Sequence, residues 1–358
     1  MSEHEARHDS RDIYDVSFIG AGPVAMYGMY YAGLRMMRAK AIDMLEEVGG
    51  GLMALYPEKY IYDVAGFPKV LAKDLVRQFE AQAAQYPTNT FCLGEKVTEV
   101  TREGDGVFRL TTDRQAHYTR TVVVCAGLGA YIPKRMDVPN VEKLEGRGVY
   151  YFCRRLRDFA DKDVLIVGGG DAAFDYSMML GPVARSVTHI HRNSFFSAHE
   201  DSVRKVKNSR VRLLYPFWEL KELRGEDWVE GATIVQTRTG HEERLAVDAV
   251  VLNIGFLTNL GPIEGWGLEL DKNAIRVDTR MRTNVEGIYA AGDIVTYEGK
   301  LKLISTGCGE VAIAVNNAKA YLDPRAKVSP GHSTEKHEVV MRKLQQRQQQ
   351  SRGEEDRE

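Results

Sequence analysis

The chain has 358 residues, 44% hydrophobic and 27% charged, with a formal net charge of −2 at pH 7. That length expects two domains with ample core, and the near-neutral balance argues against generic binding to nucleic acid or a membrane surface. No apolar run approaches the roughly 18 residues of a membrane span, and the polar N-terminus has no apolar signal core.

In chain order, residues 1–13 read as a disordered lead. The apolar run Val16–Ile19 reads as a buried strand, followed by Gly20-Ala-Gly22-Pro-Val-Ala25 and a helical pattern. Strand, G-x-G-x-x-A turn and helix form the dinucleotide fingerprint. The first Gly permits the tight turn, the second lets backbone approach a pyrophosphate, and the third small residue lets helix pack on strand. The pyrophosphate sits where unpaired helix N-terminal N–H groups and the dipole favour an anion. The next strand, Lys40–Asp43, ends in a carboxylate at the spacing where the ribose hydroxyls are bound; a solvated loop carboxylate is the alternative. Val107–Leu110 and Thr121–Cys125 read as strands of an added sheet, the latter ended by Gly127-Leu-Gly129.

A second unit runs from about Val149 to Val251. It repeats the fingerprint, with Val164–Val167 followed by Gly168-Gly-Gly170-Asp171-Ala-Ala173. Its next strand ends in His191 and Arg192 instead of a carboxylate, and Arg192 would pair with a ribose 2′-phosphate; an exposed polar turn is the alternative. The first site therefore suits FAD or NAD and the second leans towards NADP(H). Two fingerprints in their proper settings predict electron transfer between two dinucleotides. Ala232–Thr237 and Ala249–Leu252 read as strands. Gly292-Asp293, after an apolar strand, offers close backbone approach and a carboxylate for a polyol such as ribitol, or else a simple turn. A helix is expected from about Glu310 to Tyr321, and the Gln-rich stretch 335–358 reads as a polar tail, disordered or a frayed helix. The four cysteines, Cys92, Cys125, Cys153 and Cys308, have no C-x-x-C or metal-ligand spacing. They read as reduced, mostly buried thiols of a cytoplasmic protein, with no metal site.

Across residues 14–334 the chain resembles two-dinucleotide flavoproteins of the thioredoxin-reductase type, and more closely the ferredoxin–NADP reductases built on that scaffold. Gly49–Pro68, Leu257–Leu268, Tyr297–Ile304, Ala314–Tyr321 and His332–Thr334 carry the likeness. The resemblance implies an α/β fold of two Rossmann-like, three-layer dinucleotide-binding domains, the second inserted into the first. A discontinuous FAD domain would take 14–135 and 253–334, and an NADP(H) domain 136–252. It implies a homodimer. It also implies that Tyr56 and His332 sandwich the flavin ring, that Val97 offers backbone to adenine, and that Tyr131 and Thr334 lie near the flavin. Asp43 and Asp293 become the ribose and ribitol ligands.

Two departures stand out. The family's Gly-Gly-Gln reads Gly49-Gly50-Gly51, so backbone at Gly51 must replace a side-chain amide. The second site's usual His-Arg-Arg and a further Arg become Asn193 and Ser197 at two of those arginines, with Arg204 and Lys205 as candidate substitutes. The resemblance also places a C-x-x-C just before the second nucleotide strand of true thioredoxin reductases. Here that stretch holds one cysteine, Cys153, so no dithiol relay forms and reduced flavin must pass electrons straight to an external acceptor. The expected acceptor is ferredoxin or flavodoxin, docking on a basic surface such as Arg154, Arg155 and Arg157 or the run 204–212. A quinone or disulfide reductase on the same scaffold, or a flavin sensor without turnover, are the alternatives.

Overall fold

The computed structural model describes residues 11–127, 129–329 and 331. Its α-helices are, in chain order, α1 (Pro23–Leu34), α2 (Gly51–Leu55), α3 (Ala72–Ala83), α4 (Asp171–Leu180), α5 (Glu200–Lys207) and α6 (Ile304–Leu322).

Two parallel sheets carry the architecture. In the first, strands run in the spatial order Ile288–Ala290, Val122–Val124, Val16–Ile19, Ala39–Asp43, Asn89–Leu93, all parallel. The three strands at its centre and last-arriving edge, VSFI, VVV and IYA, are buried at every position. Such continuous apolar runs are what a sheet covered on both faces requires. α1 packs on α3 and α6. At Gly28 a Cβ would lie 2.5 Å from the Phe18 ring and 2.6 Å from Val311, so only glycine lets α1 sit this close to strand and helix.

The second sheet has the order Val149–Tyr150, Ala249–Asn253, Asp163–Gly168, Ser186–Ile190, Arg212–Leu214, again parallel throughout. An antiparallel meander of Trp218–Arg224, Gly231–Gln236 and His241–Leu245 adjoins it. A ribbon of Ala130–Pro133 against Phe256–Asn259 stands where the chain leaves the first sheet and returns to it. One hydrophobic core draws on residues 16–125 and 260–318, and two others on 141–252.

Several sequence expectations change. Val107–Leu110 does belong to an added sheet, as strand Phe108–Thr112 with Ile13–Tyr14, Ala116–Thr119 and Val97–Arg102. Val122–Val124 instead enters the nucleotide sheet, between Val16–Ile19 and Ile288–Ala290, because its wholly apolar side chains suit burial on both faces. α6 begins at Ile304, not near Glu310. A Cβ at Gly307 would lie 2.5 Å from Val24, so tight packing explains that glycine in the added first turns. Residues 11–13 are ordered: Arg11 pairs with Glu103 and Asp105, Arg38 with Asp12, and Ile13 starts a strand. Residues 1–10 and the 335–358 tail lie outside the described residues. Among the described residues no helix is long and apolar enough to cross a membrane.

Candidate functional site

In open parallel sheets ligands bind beyond the carboxyl ends of the strands, and both fingerprint turns lie there. Gly20 has φ +111°, and a Cβ on it would fall 2.5 Å from the Cys125 carbonyl oxygen. Gly22 caps α1 without any side-chain cap, no acid occupies the first turn, and a Cβ on Gly22 would meet nothing within 4 Å. The result is an open cradle over free N–H groups, which fits a pyrophosphate. The second glycine cluster folds onto it. Gly49 N–H donates to Ala21 O (2.8 Å), Gly50 (φ +53°) faces the Gly22 Cα, and Gly51 opens α2.

Asp43 ties this turn together. Its carboxylate accepts from the Ala21 N–H (2.6 Å) and the Leu45 N–H (2.9 Å), and lone pairs remain for hydroxyl donors. Burial raises its pKa, and the two N–H bonds offset only part of that. The Asp43 carbonyl accepts from Glu95 N–H (2.9 Å), which brings the strand beginning at Val97 alongside.

Asp293 is partly buried and, among the described residues, takes no hydrogen bond or ion pair of its own. Burial raises its pKa against the pull of Lys300 and Lys302. The backbone N–H of Gly292, just before it, is held by Glu310, which the sequence reading missed. Buried Glu310 accepts from Gly292 N–H (2.8 Å), Tyr297 O–H (2.6 Å) and Lys300 Nζ (2.5 Å). A glutamate inside an apolar helix was the available signal, since such residues stay buried only when paired.

Tyr56 follows α2 and packs on the first core. Lys59 lies 5.1 Å over its ring and pairs with Asp175 of α4 at 2.5 Å. Burial opposes the Lys59 ammonium, but Asp175 outweighs it and the pKa rises. Further contacts join the same segment to the second sheet's elements. Tyr176 O–H donates to Leu55 O (3.2 Å), Arg154 Nε to Ala54 O (2.9 Å) and Leu156 N–H to Glu58 (2.8 Å).

At the second turn a Cβ on Gly168 would lie 2.5 Å from Asn253 O, and one on Gly169 2.0 Å from the His191 ring. Gly170 caps α4 without a side-chain bond. Asp171 accepts from His199 N–H (2.9 Å) and so anchors the loop after strand Ser186–Ile190. His191 is buried, fills the space above Gly169, and its Nε2 lies 2.9 Å from Phe195 O. Arg192 alone of the pair is exposed, and its side chain makes no hydrogen bond or ion pair among the described residues. His189 was also missed. Burial pushes its pKa down to about 4, and it bridges Ser177 Oγ (2.9 Å) and Gly168 O (3.1 Å).

Part of the charge of the expected basic docking clusters is engaged within the chain. Arg155 pairs with Asp158, Arg204 and Lys205 with Asp201, and Arg212 with Glu243. Arg210 donates to Gly181 O and Ala184 O. Cys153 is wholly buried and burial raises its pKa. The described cysteines are all free thiols. Cys92, Glu95 and His117 come within ligand reach of one another. However, His117 is already held on both sides, by Lys40 Nζ (3.1 Å) and Glu95 (2.9 Å). A metal on Nε2 would leave Nδ1–H facing an ammonium, so this set does not fit a metal. The backbone of Tyr131 lies in the ribbon strand Ala130–Pro133, while His332 and Thr334 lie outside the described residues.

These paired turns define an α/β oxidoreductase scaffold with two nucleotide ends, and comparison agrees. The sequence matches the pyridine nucleotide-disulphide oxidoreductase family over residues 14–318, and the chain belongs to that family. Its relatives include a ferredoxin–NADP reductase of Geobacillus thermodenitrificans, 47% identical over 91% of this chain and 98% of the relative. One from Halalkalibacterium halodurans is 49% identical over 90% and 98%. In fold the chain is similar to the thioredoxin reductases of T. acidophilum (TM-score 0.74, 24% identity, 87% of this chain and 99% of that one) and of Lactococcus lactis (0.75, 21%, 86% and 99%).

Proposed function

We propose that the chain transfers electrons between NADPH and ferredoxin through bound FAD, with no thiol relay. The observation that carries this reading is the pair of glycine turns, each between a buried parallel strand and a helix N-terminus with no side-chain cap, together with a single, wholly buried cysteine before the second one. A disulfide reductase would need an accessible cysteine pair, and a sensor would have no use for the second turn. FAD, when bound, supplies the exchange between a two-electron hydride and the single electrons that ferredoxin takes.

The chain's own residues do the holding. N–H groups at α1 receive the pyrophosphate of FAD, with Gly20, Gly22 and Gly51 leaving it room. Asp43 accepts from the adenosine ribose, Val97 offers backbone to adenine, and Asp293, orphaned until a ligand arrives, accepts from ribitol. Tyr56 would cover one flavin face; the other face falls to His332, and flavin contacts to Thr334 and Tyr131, by the resemblance alone. Gly168, Gly170 and Arg192 receive NADP(H), with Asp171 and His191 shaping the loop around it. The FAD-binding portion is 14–135 with 253–334, and the NADP(H)-binding portion 136–252. The working form is a cytoplasmic homodimer, and flavodoxin is a second acceptor.

Anaerobic stopped-flow tests this directly. NADPH should bleach the flavin absorbance, faster than NADH does, and oxidised ferredoxin should restore it. Protein that takes up no FAD, or reduced flavin that ferredoxin cannot reoxidise, overturns the reading.

A further inference from the structure

Asn193 and Ser197 leave the second nucleotide site with one expected arginine, Arg192. Arg204 and Lys205 do not make good the loss, because Asp201 already engages both. A bound dinucleotide runs from the glycine turn outwards over the carboxyl end of the next strand. Here that strand is Ser186–Ile190, and beyond it lies only Arg212–Leu214 at the sheet edge.

The carboxyl end of that edge is built by residues 215–218. Phe217 N–H donates to Arg192 O (3.1 Å) and Trp218 N–H to His191 O (3.2 Å), so this segment runs directly beside Arg192. It is aromatic. Phe196 lies 4.6 Å from Tyr215 and 5.1 Å from His191, centroid to centroid. Two cations rest on these rings. Lys207, at the end of α5, has its Nζ 5.0 Å from the Tyr215 ring and 5.9 Å from Phe196. Arg238, in the turn between Gly231–Gln236 and His241–Leu245, stacks 3.8 Å from Phe217.

Among the described residues neither cation has a carboxylate partner, although Arg212 and Lys221 on the adjoining strands both do. A ring holds a cation in place while leaving its charge available to an incoming anion, and desolvation strengthens the hold. Lys207 also lines a groove of about 400 Å³ between α5 and Phe196, where Glu200 is the one carboxylate, two helical turns away. The positive charge at this edge is therefore fixed in position and unspent.

We propose that Lys207 and Arg238 read the 2′-phosphate of NADP(H) together with Arg192, supplying the charge that Asn193 and Ser197 lack. This rests on the reading of the second site as the NADP(H) site. Both residues come from elements outside the strand–turn–helix unit, one from the end of the following helix and one from the meander.

The test is calorimetric titration of the FAD-loaded protein with 2′,5′-ADP and with 5′-AMP. Wild type should bind 2′,5′-ADP the more tightly. Lys207→Gln and Arg238→Gln should each weaken 2′,5′-ADP by about fivefold to tenfold, the worth of one exposed charged contact, with 5′-AMP unchanged within twofold. Raising the salt concentration should erode the wild-type preference more than that of the double variant. Unchanged 2′,5′-ADP binding in both variants, or equal loss of both ligands, overturns the assignment while leaving the NADP(H) reading intact. A wild type that does not distinguish the two ligands overturns both.

Discussion

Asp293→Asn should move stability and cofactor affinity in opposite directions. In the protein without FAD, Asp293 is a partly buried carboxylate with no hydrogen-bond partner among the described residues, and burial raises its pKa above the ordinary 3.8. A carboxyl group whose folded pKa is raised favours folding most below its unfolded pKa, and that contribution is lost as pH rises through the folded value. At neutral pH the ionised side chain therefore weighs against the FAD-free fold, and Asn removes that cost. A gain on the order of 1 kcal/mol would raise Tm by roughly 2 °C in a chain of this size, and the gap from wild type should close as pH falls towards 4. With FAD bound the sign reverses. A hydroxyl donating to a carboxylate contributes about 1.5–3 kcal/mol and one donating to a neutral acceptor about 0.5–1.5. The variant should thus hold FAD about tenfold more weakly. Differential scanning fluorimetry of deflavinated protein from pH 4 to 7, with flavin-fluorescence titration, measures both. An Asn variant that melts below wild type at pH 7, or binds FAD equally well, refutes the reasoning.

Glu310→Gln should be far more damaging, because it strands Lys300, whose side chain is 6% exposed. Losing one partner of a buried pair costs about 3–5 kcal/mol; urea unfolding reads this, and a loss below about 1 kcal/mol would show that the pair is not buried in solution. Cys153→Ala, at a fully buried position, should lower stability by about 1 kcal/mol yet leave NADPH-dependent ferredoxin reduction within twofold of wild type. Abolished turnover in that variant would point to a thiol relay.

The sequence by itself determined the two nucleotide units, because each rests on local chemistry. Gly20 and Gly168 need a conformation or clearance that no side chain tolerates, and the apolar runs before them can only be buried strands. That Asp43, Asp293 and Arg192 stand at or just past strand ends was legible as well, because an apolar run fixes where a strand ends. What the tertiary structure decided involves partners distant in sequence. Val122–Val124 looks the same whether it joins an added sheet or the nucleotide sheet, and only its neighbours Val16–Ile19 and Ile288–Ala290 settle the matter. Glu310 behind Gly292, and Lys59 against Asp175, are pairings that no local pattern encodes. The same holds for the charges around Arg192. Sequence nearness favoured Arg204 and Lys205, but a single helical turn delivers both to Asp201, while the meander carries Arg238 back beside the strand end where an anion would need it.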